Sequence, residues 1–255
     1  MNSRERRKKI MDELRTNKRV YISNLTNEFD VSSMTIRRDL QKLSEMGIVT
    51  AIHGGAVLKE GMMASAFATI DARAKKMILE KAKIAQYCAG LIKEGNVIFL
   101  DTGTTIIEIA EAIKERQNIA VLTNSLPVQN ILSDSEKIQL FAMPGIYDKT
   151  ISGVVGDMTC RMIRTFNVDI AFLGLDALEI SMGVTTPNLK DQSVKIAILE
   201  RAKKKIAAVD NTKINKINFA QICPINALDM IVTDKAADKE FIEKARKRGV
   251  EVIQI

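Results

Sequence analysis

Apolar residues recur at helical spacing through the first third of the chain and then collapse into short continuous runs. Ile10, Met11 and Leu14 mark a helix within residues 4–14, and Ile22, Leu25 and Phe29 mark a short one over 22–29. Ile36, Leu40 and Leu43 share one stripe of a third helix, with Ser32 or Ser33 as N-cap and Gly47 as its stop. Ile48 to Ile52 is β-prone and runs into the turn His53-Gly54-Gly55-Ala56. Residues 58–72 show little periodicity, and Ile78, Ala82, Ala85, Ala89 and Ile92 then predict a helix over 75–92. After Gly95 come seven apolar runs, at Val97–Leu100, Ile119–Leu122, Ile138–Phe141, Ile170–Leu173, Ile206–Val209, Met230–Val232 and Val250–Ile253. Helical stretches separate them, so the strands are expected to be buried on both faces of a largely parallel sheet. The predicted class is α/β, organised as an N-terminal helical domain over 1–57, a linker over 58–74 and a second domain over 75–255.

The second and third helices are joined by a turn of only three residues, Asp30 to Ser32, which is the layout of a helix-turn-helix. On the third helix Met34, Arg38, Gln41 and Glu45 project away from the apolar stripe, flanked by Thr35 and Arg37. An arginine fork matches a phosphate or a guanine edge, and Ser and Thr hydroxyls serve either role. Ser32, Ser33, Met34, Thr35, Arg37 and Arg38 are therefore the candidate DNA-reading residues. His53, beside two glycines at a wing-like turn, reads equally as a phosphate neighbour or as a plain turn residue. Net charge is +7, and residues 1–60 hold twelve Lys and Arg against eight Asp and Glu. The basic excess thus sits mainly with the helix-turn-helix, as suits a polyanionic partner.

Other chemistry is excluded by what the chain lacks. Three separated cysteines, Cys88, Cys160 and Cys223, and a single histidine offer no metal-ligand spacing, so buried reduced thiols are expected, with neither metal nor cofactor. The charged N-terminus and the absence of a long apolar run predict a cytoplasmic chain with no membrane span.

In open parallel sheets ligands sit beyond the carboxyl ends of the strands, which directs attention to the loops there. Asp101-Thr102-Gly103-Thr104-Thr105 follows the first run and opens a helix, a place where free amides and the helix dipole favour an anion. The same residues read alone as an N-cap and a tight turn. Thr123-Asn124-Ser125 follows the second run, and Asp210-Asn211-Thr212-Lys213 the fifth, its lysine able to neutralise a phosphate.

Three N-terminal signatures stand in order: Arg6-Arg7 with Ile10, then Val31-Ser32 with Thr35-Ile36-Arg37-Arg38-Asp39-Leu40, then His53-Gly54-Gly55-Ala56. This region resembles the winged helix-turn-helix of the DeoR family of bacterial transcriptional regulators. The resemblance continues through Asp101 with Gly103-Thr104-Thr105, Thr123-Asn124-Ser125, Gly156, Asp169 to Gly174, Gly183-Val184-Thr185-Thr186, Lys195, Asp210 with Thr212-Lys213, and Ile231 with Thr233-Asp234. It implies a sensor domain similar in fold to ribose-5-phosphate isomerase, binding a phosphorylated sugar through Asp101, Gly103, Thr104, Thr105, Asn124, Ser125 and Lys213, with Lys195 nearby. Three departures are visible: Ala51 stands where the family has an arginine ahead of the wing, Pro144 to Asp148 lacks the family's glycine pair and arginine, and Gly174-Leu175-Asp176 stands where a loop of small residues is usual, so that Leu175 is expected to narrow the pocket.

The resulting expectation is a repressor of a carbohydrate-utilisation operon, a homo-oligomer on double-stranded operator DNA, tuned by a sugar phosphate. An activator would use the same residues. The competing reading is a sugar-phosphate isomerase using Asp176, Asp191 and Lys213, but such an enzyme has no use for a basic recognition helix.

Overall fold

The computed structural model describes residues 2–45, 49–58 and 70–255. It divides into two compact units, Met1–Phe67 and Ala68–Ile255. The expected helix stop at Gly47, and most of the expected linker, lie outside the described residues.

The first unit runs α1 (Ser3–Asn17), β1 (Arg19–Tyr21), α2 (Ile22–Phe29), α3 (Ser33–Glu45), β2 (Val49–Ile52) and β3 (Gly55–Leu58). The left-handed Asp30 ends α2, leaving Val31 and Ser32 to turn the chain into α3. The stripes read from the sequence converge on one core, with Ile10, Leu14, Leu25, Ile36 and Leu43 fully buried. The strands form an antiparallel sheet in the order β1-β3-β2. Gly55 is required there, because a Cβ on it would stand 2.1 Å from the carbonyl oxygen of Val20 on β1. Strand β1 is an addition to the expected pattern, too short to show an alternation.

In the second unit, α4 (Ile70–Ala74) is a short helix within the expected linker, and α5 (Ile78–Gly90) is the helix expected over 75–92. Met77 adopts a left-handed conformation as its N-cap, so the helix starts at Ile78 and not at Lys75. There follow β4 (Val97–Leu100), α6 (Thr104–Ile113), β5 (Ile119–Thr123), α7 (Leu126–Leu132), β6 (Ile138–Ala142), β7 (Ile146–Asp148), β8 (Gly153–Val155), α8 (Asp157–Arg164) and β9 (Val168–Leu173). The chain finishes through β10 (Ala177–Glu179), β11 (Gly183–Thr186), α9 (Leu189–Arg201), β12 (Ala202–Ala208), β13 (Ala220–Cys223), β14 (Met230–Thr233), α10 (Lys239–Lys247) and β15 (Glu251–Gln254).

All seven expected runs lie in one sheet of order β15-β14-β12-β9-β4-β5-β6, and every pairing in it is parallel. Alternate residues feed two apolar layers: Ile98 and Leu100 pack with α5, α6 and α7, whereas Phe99 packs on the other face with α8, α9 and α10. Burial on both faces is why these strands read as continuous apolar runs. The hairpin β7–β8 and the small antiparallel sheet β10-β11-β13 were not expected.

Cys88, Cys160 and Cys223 are buried free thiols. Among the described residues no helix is long and apolar enough to cross a membrane, and no cluster of His, Cys, Asp and Glu could hold a metal ion.

Candidate functional site

Helix α3 presents two unlike faces. The Ser32 hydroxyl accepts from the Thr35 amide at 3.2 Å and lies 2.9 Å from the Thr35 hydroxyl, so Ser32 is the cap that the sequence left open between two serines. Ser33, Met34, Arg37 and Arg38 are exposed on the first two turns, Thr35 is half-buried, and His53 is exposed at the turn between β2 and β3. The inner face carries a residue that periodicity does not single out. Asp39 is 3% exposed. It accepts from Arg6 Nε at 2.5 Å and Arg7 Nη1 at 3.1 Å, joining α3 to α1. Beside this pair, Ser3, Thr35, Arg38 and Lys42 help to line a basic concavity.

The second site lies at the switch point of the large sheet. Strands β4 and β9 are neighbours, but the chain leaves β4 toward β5 and β6, and leaves β9 toward β12, β14 and β15. Loops departing in opposite directions open a crevice between them, the usual ligand position in such sheets. Here the two loops touch through glycines. A Cβ at Gly174 would fall 2.1 Å from the Thr102 carbonyl oxygen, and Gly103, at φ 136°, stands where its Cβ would lie 3.3 Å from the Gly174 Cα. The cleft encloses about 470 Å³ including its open mouth. Gly103, Thr104 and Thr105 line it, with α6 starting at Thr104 and no side chain capping its first amides. Lys213 enters from the 3-10 turn Asn211–Lys213 that follows β12, and Lys195 from α9.

A buried charge cluster forms the floor. Lys195 Nζ is 2.5 Å from Asp101 Oδ2 and 3.1 Å from Asp191 Oδ1, all three side chains being nearly inaccessible. Asp101 also accepts from the Gly174 amide, so it pins the loop after β9. Burial raises the pKa of Asp101 against the opposing pull of Lys195. Burial likewise pushes Asp191 up to about 7, reinforced by Asp101 and Asp176 and opposed by Lys195. Burial alone would lower Lys195, but the two carboxylates outweigh it and hold the lysine charged. The pKa of Lys213 is lowered, chiefly by burial.

Of the expected effector residues, Gly103, Thr104, Thr105, Lys195 and Lys213 meet at the cleft, and Asp101 lies beneath it. Asn124 and Ser125 are not brought to its wall. Asn124 exchanges hydrogen bonds with Val154, its Nδ2 donating to the carbonyl at 3.2 Å and its carbonyl accepting from the amide at 2.8 Å, so strand β8 covers the pair. Leu175 is buried and lines the cleft beside Asp176. Arg73 was not anticipated and also lines it, paired with Asp176 at 3.2 Å. It lies in the expected linker over 58–74, and no motif marked it. Of the groups an isomerase would need, Asp176 is committed to Arg73 and Asp191 to Lys195.

Comparisons with known proteins agree with this division. Residues 6–61 match the DeoR-like helix-turn-helix domain, and residues 75–235 match the DeoR C terminal sensor domain. The chain is 33% identical to a lactose phosphotransferase system repressor from Lactococcus lactis subsp. lactis, covering 96% of both chains. It is 30% identical to a putative aga operon transcriptional repressor from Escherichia coli O157:H7, covering 98% of this chain and 93% of that one. Among solved structures, ribose 5-phosphate isomerase A from Methanocaldococcus jannaschii is similar at 22% identity and a TM-score of 0.40, over 53% of this chain and 54% of the other.

Proposed function

Since this chain belongs to the DeoR family of DNA-binding transcriptional regulators and is not an enzyme, we propose that it represses a carbohydrate-utilisation operon and that a phosphorylated sugar in the switch-point cleft controls its hold on the operator. The observation that carries the reading is the meeting of uncapped α6 amides at Gly103 to Thr105 with the Lys213 side chain at the carboxyl ends of the parallel strands. Backbone donors at a helix N-terminus together with a lysine suit a phosphoryl group. On the DNA side, Ser33, Met34, Arg37 and Arg38 reach base edges or phosphates in the major groove, with Ser32 and Thr35 at the helix entry and His53 at the wing. A homo-oligomer sets two such helices on paired half-sites, and the ligand favours one arrangement over the other. A cytoplasmic location goes with this reading. The repressors of sugar operons among the relatives support it.

The test is a thermal-shift screen of sugar phosphates against their unphosphorylated parents, repeated with Lys213→Ala, followed by operator mobility shifts with any compound that acts. A ligand that binds only the folded protein raises Tm. The expected result is a shift with one phosphorylated compound and not its parent, lost in Lys213→Ala while that variant still binds operator. Equal shifts with the parent sugar, or a normal ligand response in Lys213→Ala, refute the assignment. Ligand that loads the protein onto DNA instead of releasing it would make it an activator.

A further inference from the structure

Arg73 occupies α4, at the beginning of the second unit, yet its guanidinium reaches into the cleft. Two neighbours hold it. Nη1 donates to Asp176 Oδ1 at 3.2 Å, in the loop after β9, and Nη2 donates to the Thr150 carbonyl at 2.9 Å, in the turn of the β7–β8 hairpin. The Nε atom is buried and has no acceptor. A buried donor without a partner is costly, and an acceptor arriving in the cleft would relieve it.

The backbone below this side chain is anchored as well. Lys81 on α5 is buried and donates through Nζ to the Arg73 carbonyl at 2.6 Å and the Lys76 carbonyl at 2.5 Å. Residues 73–77 are therefore fastened to the body of the second unit at their carbonyls, and to the cleft by one guanidinium. Asp176 has a second contact of its own, the Thr186 hydroxyl at 3.2 Å, so it retains a partner if Arg73 leaves. A phosphoryl group carries close to two negative charges near neutrality and offers three acceptor oxygens, against one charge on Asp176. It competes well for an arginine fork.

We propose that Arg73 is a further anion-binding residue of the cleft, and that it ties cleft occupancy to the chain segment leading from the DNA-binding unit. This rests on the anion-cleft reading above. A bound phosphoryl oxygen accepts from Nε and draws the guanidinium from Asp176, and α4 follows the side chain. The contacts exchanged, Arg73–Asp176 for Arg73–ligand, are the differential interaction that a ligand-driven change of state needs.

Hydrogen–deuterium exchange on the full chain, titrated with inorganic phosphate, tests both levels. In the parent protein phosphate should slow exchange at residues 102–106 and alter it over 70–77. Arg73→Ala should weaken phosphate binding by about tenfold or more, the loss of one charge-assisted contact, and abolish the response over 70–77 while 102–106 still responds at saturation. Arg73→Lys, which keeps the charge without the fork, should remain weaker than the parent, and Asp176→Asn, which removes the competitor, should bind phosphate more tightly. Unchanged affinity and an unchanged 70–77 response in Arg73→Ala or Arg73→Lys would overturn the role of Arg73 and leave the anion cleft standing. Weaker phosphate binding by Asp176→Asn overturns the competition. Absence of any phosphate response at 102–106 in the parent overturns both the anion cleft and the role of Arg73.

Discussion

Replacing Asp191 by asparagine should flatten the dependence of stability on pH. Asp191 is 1% exposed, beside Lys195 and two further carboxylates, and burial pushes its pKa from 3.8 to about 7. A group whose folded pKa lies above its unfolded one contributes its full stabilisation below the unfolded value and loses it as pH rises through the folded value. For Asp191 the window opens at 3.8 and closes near 7. At about 1.4 kcal/mol per pH unit, going from about pH 5 to about pH 8 removes on the order of 3 kcal/mol from the parent protein. Asparagine has no proton to lose there, so Asp191→Asn should keep most of that stability. Asp101, also raised by burial, contributes a slope of the same sign that both proteins share. The assay is urea unfolding followed by far-ultraviolet circular dichroism at a series of pH values. Parallel pH profiles for the two proteins would refute the assignment of a raised pKa to this carboxylate.

Three further substitutions probe other parts of the argument. Asp39→Asn leaves Arg6 and Arg7 without their buried counter-charge and should cost about 3 kcal/mol in the first unit, read as a lower unfolding midpoint; an unchanged midpoint would mean the ion pair contributes nothing. Gly174→Ala drives a Cβ against the Thr102 carbonyl oxygen and should cost about 1–3 kcal/mol while displacing the loop that shapes the cleft, so calorimetry should show lower stability and ligand shifts should vanish. Arg38→Ala should cost about 1–3 kcal/mol of operator binding if Arg38 reads a base, whereas an equal loss on random DNA in the same titration would make it a phosphate contact.

How much of this was legible depended on whether an element's burial leaves a period in the sequence. The seven core strands did so, because Ile98, Leu100 and Phe99 must all be apolar when consecutive side chains enter opposite layers. The stripes of α1, α2 and α3 did so for a different reason, one buried face that returns every three to four residues. Strands β1, β7 and β10 are three residues each, shorter than any pattern needs, and they went unseen. The start of α5 at Ile78 and not at Lys75 was hidden because the left-handed Met77 ahead of it carries no compositional mark. Strand-end polarity located the loops after β4 and β12, but could not separate Lys213, which lines the cleft, from Asn124, which serves the hairpin above it. The Arg6–Asp39 and Arg73–Asp176 pairs join positions far apart in the chain, and no local spacing encodes them.

The pairing of Asp39 with Arg6 and Arg7 divides the labour within a single helix. What orients α3 is on its inner face: the apolar stripe and one carboxylate held by two guanidinium groups of α1. The residues proposed to address DNA, Ser33, Met34, Arg37 and Arg38, are exposed on its outer face, and none of them belongs to that anchorage. The outer residues can therefore be rewritten as freely as the lettering on a key whose blank is already cut. Descendants of such a gene could acquire new operators one substitution at a time, with each intermediate still folded, and a designer could retarget the helix while leaving residues 6, 7 and 39 alone.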